Sequence, residues 1–253
     1  MSFRPVFLGL VLIATGLAGC GSPDRPDPVK TAFAIATLPI TLPIVARKNW
    51  ESAHPLPTLR PYPGDDVPLF RGVGKTPDIL QADADFIAAV GKQGYSRHEG
   101  SRIAAQRGWQ ALNTPDYTLA AKSFNEAWLL DPKNGDAVYG FGMVAAYRDK
   151  NSALAEDYFR QSIAIMGEWG CARVEYGKLL LNENRVAEAI PLLRAAADGR
   201  CKQADARSLL VIALDTTGDK ASVCRESLDL KDWSDKTLLA EARRRASGCP
   251  KLQ

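Results

Sequence analysis

Small and aromatic residues recur between residues 108 and 196 at intervals of 34 or 35 residues, and this period constrains the fold more than any other feature. The recurring positions are Gly108, Gly142 and Gly177; Ala120, Ala155 and Ala189; and Phe124, Phe159 and Leu193. A period of this length is typical of repeat proteins, in which each unit buries its apolar face against its neighbours. Because the pattern from Thr76 onward is helical, we expect an all-α fold of stacked helical hairpins.

The recurring residues resemble the tetratricopeptide repeat, whose glycine, alanine, aromatic and proline positions they match. Ala127, Ser162 and Ala196 extend the match, and Pro132 closes the first unit. The resemblance implies an all-α solenoid of helical hairpins with three clear units, a degenerate fourth unit and capping helices. The units begin near Ser101, Gly135, Gly170 and Ala204, and the fourth keeps Gly218 and Asp219 at its turn.

Helices are also expected at both ends of the repeats. Thr76 followed by Pro77 is typical of an N-cap and first helical position, so a helix is predicted from Thr76 to Gln93. Lys236 to Ala246 predicts a capping helix at the other end. The expected division of the chain is a signal peptide at 1–19, a lipidated cysteine and proline-rich tether at 20–76, and a repeat domain at 77–253.

The first twenty residues combine a basic start at Arg4, an apolar run and the sequence Leu17-Ala18-Gly19-Cys20. This order resembles a bacterial lipoprotein signal, which implies cleavage before Cys20 and acylation, including palmitate, at that residue. An uncleaved transmembrane helix is the alternative, but the apolar run is short of the ~20 residues that a span requires. Because Gly21 and Ser22 stand where the family's inner-membrane retention signal has Asp, the resemblance favours a lipid-anchored protein on the periplasmic face of the outer membrane.

Residues 21–86 hold 11 of the 16 prolines, which favours an extended tether. The uncharged stretch from Thr31 to Ala46 is too apolar for a simple tether, and it is expected either to pack along the folded domain or to lie at the lipid surface. Trp50, Tyr62 and Phe70 are further apolar side chains that a solvated linker does not require.

Four cysteines remain besides Cys20, and export would place them in an oxidising compartment. None forms a C-x-x-C motif, so no metal site is expected. The repeat resemblance brings Cys171 and Cys201 to one end of the third hairpin, and it places Cys224 near Cys249 if the capping helix is antiparallel to its neighbour. We therefore predict these two disulfides, with four buried free thiols as the alternative.

In the tetratricopeptide family the first helix of each hairpin lines a concave groove. The corresponding groove residues here are predicted to be Arg102, Trp109, Asn113, Asp136, Tyr139, Met143, Tyr147, Lys178 and Asn182. Such a groove offers aromatic side chains to an apolar peptide and amides to its backbone. The alternative is a groove that the stretch from Thr31 to Ala46 fills itself.

Three functions are compatible with the sequence. The leading hypothesis is a lipid-anchored periplasmic scaffold that binds a partner protein or peptide in its groove, as in outer-membrane or pilus assembly; the second is a structural homo-oligomer. An enzyme using Asp65, Asp66 and His98 is the weakest, because neither histidine stands at a recognisable spacing from a nucleophile, and no cofactor is expected. A formal net charge of +3 over 253 residues is too small to predict nucleic-acid binding.

Overall fold

The chain is all-helical in every part that the structure describes. The computed structural model describes residues 52–71, 73–167, 171–199, 203–232 and 234–249. These ranges contain one short 3-10 helix, Pro68–Phe70, and ten α-helices, and they contain no β-strand. The helices are α1 Pro77–Lys92, α2 Arg97–Asn113, α3 Tyr117–Leu130, α4 Gly135–Tyr147, α5 Ser152–Met166, α6 Ala172–Asn182, α7 Val186–Ala197, α8 Gln203–Thr216, α9 Lys220–Ser227 and α10 Lys236–Arg245. The expected all-α class is therefore confirmed.

Polar side chains fix where many of the helices begin. Thr76 accepts a hydrogen bond from the amide of Ile79 ahead of α1, as the Thr-Pro pattern predicts. Ser96 and Glu99 form a reciprocal capping box at the start of α2. The side chains that cap α3, α4, α5, α9 and α10 are Asp116, Asn134, Asn151, Asp219 and Asp235. These caps satisfy amides that a helix leaves without an internal partner.

The helices pack as consecutive hairpins. Helix α2 packs on α3, α4 on α5, α6 on α7 and α8 on α9, while the first helices of successive hairpins also touch each other. Hydroxyl groups close two of the hairpins: Ser101 donates to the carbonyl of Ala127 at 2.7 Å, and Ser162 donates to that of Gly135 at 2.9 Å. The core therefore runs continuously from hairpin to hairpin.

The carboxyl-terminal helix α10 covers the last hairpin by packing on α8. A disulfide joins Cys224 to Cys249, with their Cα atoms 5.2 Å apart, so this predicted pair is confirmed. Cys171 is also disulfide-bonded, but its predicted partner, Cys201, lies outside the described residues and that pairing stays a prediction. Cys20 and the stretch from Thr31 to Ala46 lie outside the described residues too.

None of the helices in the described ranges combines the length and the apolar character that crossing a bilayer would require.

Candidate functional site: the first-helix groove

Large apolar side chains pack against the recurring glycines between the helices of the first three hairpins, and in the first two hairpins they are aromatic rings. A Cβ atom added to Gly108 would lie 2.6 Å from the ring of Phe124, and one added to Gly142 would lie 2.4 Å from Phe159. Leu193 approaches Gly177 in the same way, at 2.6 Å. A larger side chain at these positions would therefore force the neighbouring side chain to shift, because real Cβ atoms do not come this close to other heavy atoms.

The rings also contact one another from hairpin to hairpin. The ring of Trp109 lies 5.3 Å from Phe124 and 4.6 Å from Tyr139, between centroids. Tyr139 lies 6.1 Å from Phe159, which in turn lies 6.2 Å from Tyr176. These separations are in the range where aromatic pairs attract beyond simple burial. The ladder links the first three hairpins and underlies the first-helix surface.

The structure places the aromatic side chains that are predicted to line the groove at different depths. Tyr147 is 43% exposed at the end of α4, and Met143 and Trp109 are half-buried. Tyr139 is only 1% exposed and packs between Trp109 and Phe159. Trp109 and Tyr139 thus belong to the core, although both are among the residues predicted to line the groove. Of the aromatic residues in that set, Tyr147 is the most exposed.

The polar residues that are predicted to line the groove lie toward the ends of the first helices. Arg102 and Asp136 are half-buried in the early turns of α2 and α4, whereas Asn113 and Asn182 are exposed at the ends of α2 and α6. Lys178 donates to the buried carboxylate of Glu175 at 3.1 Å. The middle of the first-helix surface is consequently neutral.

One hydrogen-bond donor among the residues predicted to line the groove has no acceptor in the described part of the chain. The indole Nε1 of Trp109 is buried, and among the described residues nothing accepts a hydrogen bond from it. A buried N–H without a partner costs about 1–3 kcal/mol. This donor is a feature that the sequence alone does not reveal.

A second surface, on the other helices of the hairpins, binds the chain's own residues 52–71 and 73–76, which we call the strap. The amide of Asn125 on α3 donates to the carbonyls of Asp65 and Val67 at 2.7 and 2.8 Å. The hydroxyl of Tyr158 on α5 donates to the carbonyl of Pro68 at 3.2 Å. Buried side chains of two helices therefore hold the main chain of the strap.

Glu126 and apolar side chains fasten the strap further. The amide of Leu59 donates to Glu126 at 2.7 Å, and Arg107 forms an ion pair with the same carboxylate. Leu56, Leu59 and Phe70 are at most 8% exposed and belong to the core. Part of the predicted tether, residues 52–71 and 73–76, thus packs on the helices. Asn125 and Glu126 are site residues that sequence reasoning missed.

Two strap residues, Tyr62 and Lys75, bind one carboxylate on α1, that of Asp83. Tyr62, stacked on Phe70 at 6.0 Å, donates to Asp83 at 3.2 Å, and Lys75 forms an ion pair with the same carboxylate. Burial, together with the charge of Asp83, raises the pKa of Tyr62 well above its ordinary value. Tyr62 therefore stays a neutral hydrogen-bond donor throughout the physiological pH range.

Glu156 on α5 joins the second and third hairpins. It accepts hydrogen bonds from Arg185 at 2.7 Å and from the hydroxyl of Tyr176 at 2.7 Å, and it also pairs with Arg160. Hydrogen bonding to Arg185, the largest contribution, holds the pKa of Glu156 below its ordinary value. Burial, followed by the hydrogen bond to Glu156, raises the pKa of Tyr176 to about 12.

The three residues considered for catalysis have separate structural partners. Asp65 lies in a turn and pairs with Lys122 at 3.2 Å, while His98 contacts Asp131 at 3.3 Å. Lys122 and Asp131 are nine residues apart along α3, which corresponds to about 13 Å. Asp66 contacts Arg148 at 3.4 Å, so these contacts do not bring the three side chains into one site. The described residues also contain no group of three His, Cys, Asp or Glu side chains arranged to hold a metal ion.

No protein-family model matches the chain, and no curated protein matches it by sequence.

Proposed function

We propose that the chain is a tetratricopeptide-like scaffold that binds a partner protein or peptide along the first helices of its hairpins. The observation that carries the proposal is the repeated packing of Phe124, Phe159 and Leu193 onto Gly108, Gly142 and Gly177. The same residues carry the sequence resemblance, and the contact between successive first helices is the arrangement that the resemblance implies. Stacked hairpins of this kind form an extended concave surface, which such proteins use for binding.

The chemistry of the surface favours a peptide with apolar side chains. Tyr147 and Met143 can cover such side chains, and the exposed amides of Asn113 and Asn182 can pair with a peptide backbone. Because Lys178 is already paired with Glu175, a ligand that depends on a strong basic contact has less support. The proposal assigns no catalysis and no cofactor to the chain.

The proposal also includes a lipid anchor at Cys20 and a location on the periplasmic face of the outer membrane. Its support is the sequence at the amino terminus, where an apolar run ends at Leu17-Ala18-Gly19-Cys20. Multiple acyl chains hold a protein stably on a bilayer, whereas a single one is marginal. We expect Cys20→Ser to abolish acylation and to release the protein from washed membranes. Fractionation of the two forms tests the anchor independently of the groove.

The groove is tested by affinity capture with the full chain, comparing two side chains of equal exposure. Tyr147 on α4 and Leu119 on α3 are both 43% exposed, but only Tyr147 is in the groove register. Crosslinked capture from membranes is expected to lose its partner in Tyr147→Ala, and to keep it in Leu119→Ala. Trp109 is unsuitable for this test, because it supports Phe124 and Tyr139. Equal capture by the two variants contradicts the groove, and a stable homo-oligomer seen by native mass in mild detergent favours a structural module instead.

A further inference from the structure

A cleft with a volume of about 260 Å³ lies between the strap and α1. It is lined by Thr58 and Arg60 of the strap and by Ala82, Asp85, Phe86 and Ala89 of α1. This volume is just below the ~300–1,000 Å³ that is typical of sites for drug-sized ligands. The cleft is therefore suited to a small molecule, of the size of a single amino acid. None of its lining residues belongs to the groove of the proposed function.

The wall of the cleft on α1 is apolar and firmly held. Ala82, Phe86 and Ala89 are spaced four and three residues apart, so they share one face of the helix. The ring of Phe86 is only 3% exposed, and the small alanines on either side of it leave the space that forms the cleft. Asp83 fastens this part of α1 to the strap, because it accepts a hydrogen bond from Tyr62 at 3.2 Å. The wall is thus a preformed surface for an apolar side chain.

The wall on the strap presents polar groups to the cleft. Leu59 holds this wall from behind: it is 8% exposed, and its amide donates to Glu126 at 2.7 Å. Thr58 and Arg60, on either side of Leu59 in the sequence, both line the cleft. Within the described part of the chain, neither their main-chain amides nor their side chains form a hydrogen bond. The cleft consequently carries donors, including one guanidinium group, that a ligand can use.

Two opposite charges flank the apolar wall. Arg60 and Asp85 are both exposed and line the same cleft, but they form no ion pair with each other. Gln81 donates to the Oδ1 atom of Asp85 at 2.8 Å, and the Oδ2 atom has no partner among the described residues. A ligand with a single charge is repelled by one of the two residues, whereas a zwitterion pairs with both.

We propose that the cleft binds a free α-amino acid with an apolar side chain, such as leucine. The carboxylate of the ligand pairs with the donors of Thr58 and Arg60, and its ammonium group pairs with the free oxygen of Asp85. Its side chain packs on Phe86, in the space that the alanines leave. The carboxyl end of a polypeptide offers a carboxylate but no ammonium group, so it leaves Asp85 without a counter-charge.

Isothermal titration of the full chain with L-leucine tests the site directly. We expect a dissociation constant of about 1 mM or below. Isocaproate lacks the ammonium group of leucine, isoamylamine lacks its carboxylate, and N-acetyl-leucine imitates the carboxyl end of a polypeptide. Each of these three compounds is expected to bind about tenfold more weakly than leucine, because one charge-assisted hydrogen bond is missing. The absence of leucine binding overturns the proposal, as does equal binding of any of the three analogues.

Filling the cleft tests its location without removing either charge. Ala89→Leu places a larger side chain in the cleft, whereas Ala88→Leu makes the same change at an exposed neighbouring position of α1. Leucine binding is expected to be lost in Ala89→Leu and to be kept in Ala88→Leu. Equal binding to the two variants overturns the proposal.

Charge variants test the two ends of the ligand, and they do not disturb the core because both side chains are exposed. Arg60→Gln and Asp85→Asn are each expected to weaken leucine binding about tenfold. Lys92→Gln and Asp78→Asn, at exposed positions of α1 outside the cleft, are the controls and should bind leucine normally. Unchanged leucine binding in Arg60→Gln or in Asp85→Asn overturns the proposal.

Two further results separate a ligand site from a structural effect and from the groove. Asp85→Asn removes the repulsion of an anion, so this variant should bind isocaproate and leucine with similar affinity, which a general loss of structure would not produce. If Asp85→Asn keeps the preference for leucine, the assignment of the ammonium group to Asp85 is wrong. Tyr147→Ala, which tests the groove, should bind leucine like the unsubstituted chain, so the cleft and the proposed function are tested independently.

Discussion

At some positions in the hairpins a neighbouring side chain limits the size of the residue, and Gly142 has one of the closest such contacts. An added Cβ would lie 2.4 Å from the ring of Phe159, which is itself 1% exposed and held by Tyr139 and Tyr176. Alanine is the better helix former by up to about 1 kcal/mol, but overpacking a tight core costs about 1–3 kcal/mol. The steric effect therefore outweighs helix propensity at this position.

We expect Gly142→Ala to lower the free energy of unfolding by about 1–2 kcal/mol. Gly91 in α1 is the matched control, because no described atom lies within 4 Å of a Cβ added there. Gly91→Ala should leave stability unchanged or raise it slightly. Urea titrations of the two variants compare the effects directly. If both variants lose the same stability, the ring does not limit the size of residue 142.

These size constraints could be predicted from sequence, whereas the polar contacts of the strap could not. Gly142 and Phe159 each have equivalent residues one repeat away in the sequence, and both belong to one hairpin. The repeat pattern therefore predicts that they are in contact. Asn125 holds carbonyl groups 58 and 60 residues away in a segment without periodicity. A side chain that binds the main chain leaves no mark on the sequence of its partner. Only the aromatic pair Tyr62 and Phe70 indicated that this segment packs on the fold.

At the scale of elements, the strap depends on the amide of Asn125. Both hydrogens of its side chain are used, one for Asp65 and one for Val67, and the residue is fully buried. Asn125→Asp replaces these donors with a carboxylate that faces two carbonyl groups. We expect a loss of about 2–3 kcal/mol, because a buried group then lacks its partners.

Hydrogen exchange measures this effect where it should occur, at the amides of residues 65–70. Asn182→Asp at the exposed end of α6 makes the same chemical change without a buried partner, and it should change stability by less than about 0.5 kcal/mol. Unchanged protection of residues 65–70 in Asn125→Asp would show that apolar packing alone holds the strap.

The joint between the second and third hairpins is expected to weaken in acid. Glu156 has its pKa lowered, chiefly by Arg185, so it stabilises the folded state above the ordinary glutamate pKa of about 4.3. This contribution is lost as the pH falls through the lower pKa of the folded state. Glu156→Gln should therefore be less stable than the unsubstituted chain at pH 7, by about 1 kcal/mol, and the difference should vanish in strong acid.

The measurement is the free energy of unfolding of both forms between pH 2 and pH 7. Asp157→Asn, one residue further along α5 and exposed, is the control, and it should follow the unsubstituted chain more closely. A difference between Glu156→Gln and the unsubstituted chain that persists unchanged at pH 2 would contradict the assignment to the carboxylate.

At the scale of the whole molecule, the hairpins present two surfaces with different roles. The strap bonds to second helices, through Asn125 on α3 and Tyr158 on α5. The proposed groove is formed by first helices, where Tyr147 is exposed. The strap covers part of the second-helix surface of the first two hairpins, and its 3-10 helix Pro68–Phe70 also contacts the first helix α4.

The strap also moves the boundary of the folded body from residue 77 toward residue 52. Leu56, Leu59 and Phe70 are at most 8% exposed, and burying each such side chain contributes about 1.5–3 kcal/mol. Their sum is about 4.5–9 kcal/mol before the entropy lost in ordering the strap is subtracted. Removing the strap would also remove the main-chain groups that Asn125 and Glu126 bind.

We therefore expect a chain that begins at residue 52 to unfold cooperatively in urea, and a chain that begins at residue 77 to be unfolded or less stable by on the order of a few kcal/mol. Limited proteolysis of the full chain offers an independent measurement, since its resistant core should begin near residue 52. Equal stability of the two truncated chains would mean that the helices alone form the folded unit. In that case residues 52–76 would only lie on the surface, and they would count as part of the tether rather than as part of the scaffold.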